Sequence, residues 1–196
     1  MKRTKHDFQK PTGSFIMAEN KPFTVLTNDP SLTAWGWAVL NQNGEIISAD
    51  CIKTAPEHKK RRIRVGDDNI RRISEINQRL REIFKSYNIG LILSELPHGS
   101  QNASAAKMIG MVAAICQTIS DWEKIPIEWY SEGDAKKAAT GRISVPKQAM
   151  INRMSMIYPD APWTRIKYKD EAIADALAIH NVAMEQSAIL KFWKAQ

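Results

Sequence analysis

Five carboxylates in this chain have surroundings that go beyond an ordinary surface role. Asp29 closes the apolar run in "VLTNDPSLTAWGWAVL", and Glu95 closes "IGLILSEL". Each is an acid at the far end of a strand-like segment, where burial without a cation or strong donors is costly. Asp170, Glu171 and Asp175 form a third group, in which Glu171 and Asp175 are four residues apart and share one helix face. Asp175 stands inside "IADALAI", an acid within an apolar stripe. Oxygen donors from two strand ends and one helix make a cage for divalent cations, and Mg²⁺ takes carboxylates, water and substrate phosphates. Two such ions about 4 Å apart activate a water and stabilise the leaving oxygen of a phosphodiester. Each acid also has a plainer explanation. Asp29-Pro30-Ser31 is a good turn sequence, Glu95 fits a solvated strand end, and Glu171 complements a helix N-terminal dipole. Only their joint order points to a site.

Such a site needs a framework that brings distant acids together. "FTVLTND", "AWGWAVLNQ" and "EIISADCIKT" read as strands, with "NQNGE" as a hairpin turn. "APEHKKRRIRVG" reads as a basic connection. "DDNIRRISEINQRLREIFKSY" places Ile70, Ile73, Ile76, Leu80, Ile83 and Phe84 at helical spacing. "IGLILSEL" suits a strand buried on both faces. "NASAAKMIGMVAAICQTISDW" is a helix rich in small residues, and "PIEWY" is a short strand. "SEGDAKKAATG" predicts a helix with Ser131 as N-cap, Asp134 in the capping-box position and Gly141 as terminator. "VPKQAMINRMSMIY" begins a helix with Pro146 at its first position, and "KDEAIADALAIHNVAMEQ" is the last clear helix.

The predicted fold class is therefore α/β. Three antiparallel strands continue into parallel ones through helical crossovers, giving a mixed five-stranded sheet flanked by helices, an order that matches the ribonuclease H-like architecture. Crossovers keep the fourth strand parallel to the first. Asp29 and Glu95 then emerge at the same sheet edge, where open α/β sheets place their sites.

At 196 residues the chain suits one domain with an arm. Residues 1–21 read as a flexible basic arm and 22–196 as the ribonuclease H-like domain. The net charge is +7, with a pI near 9.4, and the positive residues cluster. Lys59, Lys60, Arg61, Arg62, Arg64, Arg71 and Arg72 carry much of it. Such clusters attract polyanions, nucleic acid above all. The two cysteines, Cys51 and Cys116, are too few for a disulfide framework and fit a reducing compartment. The longest apolar stretch, "MIGMVAAIC", is about half of what a membrane span needs, and the N-terminus lacks a signal-peptide core. The expectation is a cytoplasmic protein with no membrane partner.

At the acidic motifs the sequence resembles the RuvC-type Holliday-junction resolvases, ribonuclease H-like nucleases, from Phe23 to about Ala183. "NDPSLTAWGWAVL" is similar to the family's first strand and hairpin, and "SELPHGSQNASAAKMIGMVAA" to its second acidic motif and following helix. Lys136, Gly141 and Lys147 reproduce a lysine-glycine-lysine spacing, and "ADALAI" is similar to the final acidic motif.

The resemblance implies an endodeoxyribonuclease that cuts opposed strands of four-way DNA junctions. It implies Asp29, Glu95 and Asp175 as metal ligands, two Mg²⁺ per site (Mn²⁺ substituting), and a homodimer formed through the Asn102–Trp122 helix. Lys136 and Lys147 match residues serving the scissile phosphate. The family's fourth ligand lies three residues before the last acid, where this chain has Ala172. Glu171 is the choice in its place, with Asp170 in reserve. His98 stands where the family often has an aromatic that stacks on bases, and "SLT" replaces the usual glycine after Asp-Pro. Three other readings compete: a same-fold nuclease for flaps or forks, a non-catalytic branched-DNA-binding relative, and an actin-like ATPase. The ATPase should show glycine-rich phosphate loops, and this sequence has none.

Overall fold

A computed structural model describes residues 23–194; the arm expected over residues 1–21 lies outside them. β1 (Thr24–Asp29), β2 (Ala34–Leu40) and β3 (Ile46–Lys53) form an antiparallel meander, and β4 (Ile89–Glu95) and β5 (Ile127–Tyr130) extend it in parallel. The sheet order is β3-β2-β1-β4-β5, so β1 is central. Its apolar, β-branched sequence follows from that place, since both of its faces are covered. Gly44, with φ +84°, makes the β2–β3 turn.

The helices are α1 (His58–Arg61), α2 (Val65–Ser86), α3 (Ala103–Glu123), α4 (Glu132–Thr140), α5 (Lys147–Ile157), α6 (Lys167–Gln186) and α7 (Ala188–Lys194). On one sheet face Val25, Ala38, Leu40, Leu91 and Leu93 pack with Ile173, Leu177 and Ile179 of α6. On the other, Leu26, Trp35, Val39 and Ile92 meet Ile76 and Leu80 of α2 and Val112 and Ile115 of α3. The result is a three-layer α/β/α domain around two cores.

Several local expectations are met and others corrected. Ser131 accepts from the Asp134 N–H at 3.0 Å, and Gly141 ends α4 with φ +76°. The basic connection holds a short helix, α1, closed by Arg62 in the left-handed region. Pro146 is the N-cap of α5 and not its first residue, so the helix begins one residue later than expected, at Lys147. Ile70, expected on the apolar face of α2, is 54% exposed because that face turns off the sheet near the helix start. Among the described residues α3 alone is long and apolar enough to cross a membrane, but Val112, Ile115 and Cys116 pack it onto the sheet. Its other face is open, ending at Trp122, which is 72% exposed. A cavity of about 720 Å³ runs between α2 and α3 past Phe84, Met111 and Trp122, and none of the candidate acids lines it.

Candidate active site

The parallel β1–β4 ladder pairs Asn28 with Ser94, so Asp29 and Glu95 are the next residues out at adjacent strand ends. Flanking side chains fix the end of β1. The buried Thr27 hydroxyl donates to the Ala176 carbonyl of α6 at 2.7 Å, and buried Asn28 accepts from the Trp35 indole at 3.1 Å. The first bond ties the turn of α6 that carries Asp175 directly to the strand that ends in Asp29. From Ala172 to His180 every residue is buried except Asp175, which faces the strand ends. Three acids from three elements are thus brought to one place.

The "SLT" departure also has a structural account. The Ser31 hydroxyl accepts from the Thr33 and Ala34 N–H groups, which folds the turn tightly after Pro30. The Leu32 carbonyl then accepts from Thr54 at 2.5 Å and from Arg72 at 3.2 Å. Side-chain anchors replace the flexibility a glycine would give, and the chain leaves Asp29 at the strand tip.

Among the described residues no hydrogen bond or ion pair reaches the carboxylates of Asp29, Glu95 or Asp175; burial and neighbouring charges alone shift them. Burial pushes the Asp29 carboxyl well above its ordinary range, and Glu95 and Asp175 push it further, against the pull of Lys147. Burial, then Asp175 and Glu132, raise Glu95 to about 7. Burial raises Asp175 to about 6, with Lys147 and Lys136 opposing. Crowded acids with no donors repel one another unless cations join them. All the donors are hard carboxylate oxygens, a set suited to a divalent ion of the Mg²⁺ type. Among the described residues no three His, Cys, Asp or Glu side chains close into a finished cage; the carboxylates stand around the site rather than converging on one point.

The other expected residues divide clearly. Lys147, 70% exposed, reaches Glu171 at 3.1 Å, and Lys167 is 4.0 Å from the same carboxylate. Glu171 therefore sits beside the cluster already holding a cation. Lys136 is at the site but paired with Glu132 one turn earlier on α4. His98 is exposed, with its Nε2 4.0 Å from Glu132.

Asp170 is ruled out as the reserve ligand. It is buried, accepts from the Thr164 N–H at 2.8 Å and hydroxyl at 2.9 Å, and so caps the turn entering α6. Arg71 and Arg72 are corrected as phosphate contacts. Arg71 is taken up by Asp68, Glu75 and the Ala55 carbonyl. Arg72, 6% exposed, donates to Thr54, Thr33 and the Leu32 carbonyl. Arg61 pairs with Glu57 and Arg64 with Asp67. Lys59, Lys60 and Arg62 are exposed.

Glu132, bonded to Lys136 and 4.0 Å from His98, borders the site and was not named by the sequence reading. Two features could have found it: its four-residue spacing from Lys136, and its place two residues past a strand that ends beside Glu95.

No protein-family model matches the chain. The crossover junction endodeoxyribonuclease RuvC of Parvibaculum lavamentivorans is 26% identical over 156 residues, which is 80% of this chain and 83% of that protein. Among solved structures, T. thermophilus RuvC in complex with a Holliday junction substrate superposes with a TM-score of 0.61 at 18% identity. That match covers 82% of this chain and 92% of the other. The yeast mitochondrial Holliday junction resolvase Ydc2 gives a TM-score of 0.51 at 13% identity over 91% and 86% of the two chains. The fold is the RuvC-type, ribonuclease H-like one.

Proposed function

We propose that this chain is a RuvC-type resolvase, a metal-dependent endodeoxyribonuclease that cuts four-way DNA junctions in opposed strands. The observation that carries this reading is the meeting of Asp29, Glu95 and Asp175, three carboxylates without donors, at the carboxyl ends of β1 and β4. The similarity to RuvC over most of both chains supplies the substrate class. Asp29, Glu95 and Asp175 would hold the metal, with Glu171 the nearest further carboxylate on α6. Divalent cations, two Mg²⁺ or Mn²⁺ in this reading, supply water activation and neutralise charge on the leaving oxygen when bound.

The chain's own groups do the rest. Lys147, the cation that most offsets Asp175 and the one that offsets Asp29, lies where a phosphate held at those acids would need positive charge. Lys136 stands on the Glu95 side. Lys59, Lys60 and Arg62 offer backbone phosphates sequence-independent attraction. Cutting opposed strands of a two-fold junction calls for two sites, and a C2 dimer supplies them. The open face of α3, with Trp122 and the cavity beside it, is the surface such a dimer would bury. A cytoplasmic site of action is part of this reading.

The test offers synthetic four-way junctions, flaps, forks and plain duplex to the full chain with Mg²⁺, beside Asp29→Asn. Paired symmetric nicks confined to the junction, absent in the variant, are expected. Equal cutting of flaps or forks would make this a branch nuclease of the same fold, and undiminished cutting by the variant would remove the site assignment.

A further inference from the structure

Among the described residues, three that carry side chains have a left-handed backbone: Arg62, Lys124 and Arg165. Arg62 and Lys124 close α1 and α3, where helices commonly end in that conformation. Arg165, with φ +63°, closes no helix and lies two residues before α6. A side chain in this region carries a steric cost that glycine avoids, and such costs gather at ligand clamps.

The turn around Arg165 is held from both sides. Asp170 accepts the Thr164 N–H and hydroxyl, and the Thr164 hydroxyl oxygen accepts the Ile166 N–H at 3.1 Å. The Trp163 indole donates to the Tyr158 carbonyl at 3.0 Å. None of these bonds uses the Arg165 side chain. It is exposed, and among the described residues it forms no ion pair or hydrogen bond. Arg165 and Lys167 share a cavity of about 400 Å³ with Trp163 and with Gln148, Ile151 and Ser155 of α5. Asp170 also lines it, but Asp170 is 6% exposed and its Oδ1 is taken by Thr164.

This cavity adjoins the acid cluster along both helices. Gln148 follows Lys147, Asp170 precedes Glu171, and Lys147 meets Glu171 at 3.1 Å. Lys167 lies 4.0 Å from Glu171 and eight residues before Asp175. Eight residues span roughly 12 Å of helix axis, or about three nucleotides of a stacked strand at ~3.4 Å each.

We propose that Arg165 and Lys167 form a phosphate-binding subsite that grips the DNA backbone about three nucleotides from the phosphate being cut. This rests on the nuclease reading above and adds a contact surface to it. The guanidinium fork matches two phosphate oxygens, and Lys167 adds a point charge beside it. Because the turn fixes where the arginine leaves the backbone, less ordering is needed to seat a phosphate. The subsite belongs to the α5–α6 side of the acids, whereas Lys59, Lys60 and Arg62 belong to the connection between β3 and α2. The competing role is an ordinary turn carrying two solvated charges.

Junction binding by the full chain, measured by fluorescence anisotropy in EDTA over a range of salt, separates the two. Arg165→Gly combined with Lys167→Gln is expected to weaken binding about tenfold at moderate salt. It should also flatten the salt dependence by up to about two phosphate contacts. Its Tm should match or exceed that of the wild type, because glycine takes this backbone without a Cβ clash. Lys191→Gln combined with Lys194→Gln removes the same charge from α7 and should lower affinity less than twofold. Unchanged affinity and salt dependence in the Arg165–Lys167 variant, beside a wild type that binds and cuts the junction, would overturn this subsite alone. So would an equal loss in the α7 variant, which would make the effect one of bulk charge, or a loss that comes with a collapsed Tm. A wild-type chain that neither binds nor cuts the junction would overturn the nuclease reading, and this subsite with it.

Discussion

Two charged regions of this molecule use the same residue types in opposite ways. At the start of α2, Asp68, Arg71 and Arg72 have all found partners. Asp68 accepts the Glu57 and His58 N–H groups and Arg71, while Arg72 is spent on Thr54, Thr33 and the Leu32 carbonyl. Around Asp29 the acids have been brought together and left without donors. The first arrangement clamps the α1–α2 entry and the turn after β1. The second stores repulsion that protonation or an added cation relieves. What separates structural from functional charge here is partnership, not burial, because Asp68 is as deeply buried as any acid among the described residues.

The sharpest break of that contrast is Asp29→Asn. Cleavage should fall on the order of 10³-fold, while the metal-free fold should become more stable, since one of three repelling carboxylates is removed. Junction cutting and thermal melting on the same preparation read both. A variant that lost activity by losing stability would place Asp29 with the paired region instead. Next in size is Arg72→Met, which should cost about 3 kcal/mol in denaturant unfolding, because Thr54, Thr33 and the Leu32 carbonyl lose a buried charged donor. Arg72 was expected on DNA. If it is structural, the salt dependence of junction binding by the folded variant should match the wild type.

That misplacement shows which parts of this molecule sequence could carry. Strand ends, caps and helix faces depend on neighbours a few residues apart, so the mixed sheet, the Ser131 cap and the strand-end places of Asp29 and Glu95 were legible. Arg72 meets the Leu32 carbonyl across 40 residues, and nothing local distinguishes it from Arg62, which is exposed. Asp170 and Glu171 are adjacent in sequence, yet one caps a turn through Thr164 and the other meets Lys147 from α5. Glu132 was hidden because its relevance depends on the β4–β5 register. Side-chain partnership across elements is the information a single sequence lacks.

A smaller effect tests which basic residues remain for DNA. Replacing Lys59, Lys60 and Arg62 together with alanine should weaken junction binding about tenfold at moderate salt and flatten its salt dependence by up to three phosphate contacts. Cleavage at saturating protein should barely change. The contrast is with Arg64 and Arg61, each already paired with an acid, whose replacement should do less. An equal loss from both sets would mean that pairing does not withdraw an exposed arginine from DNA.

The smallest effect is also the most direct on the comparison, because the two regions should respond to pH with opposite sign. Burial raises Asp68, but its bonds from Arg71 and the Glu57 and His58 N–H groups outweigh that and hold it near 2. A carboxyl lowered by folding stabilises the protein above its unfolded value near 4, and that contribution is lost as pH falls toward 2. Glu95 and Asp175 are raised, to about 7 and about 6. Their favourable contribution is present below pH 4 and is lost as pH rises through 6 to 7, where the unfolded chain ionises freely and the folded cluster resists. Metal-free melting curves should therefore show Glu95→Gln gaining on the wild type between pH 5 and 8. Asp68→Asn should lose most above pH 4 and converge with the wild type near pH 2. Adding Mg²⁺ at pH 8 should raise the wild-type Tm while leaving Asp29→Asn nearly unmoved, since the cation relieves the repulsion that pH builds. A wild-type Tm indifferent to both pH and Mg²⁺ across that window would mean the three acids are solvated apart, and the distinction between the two regions would fall with it.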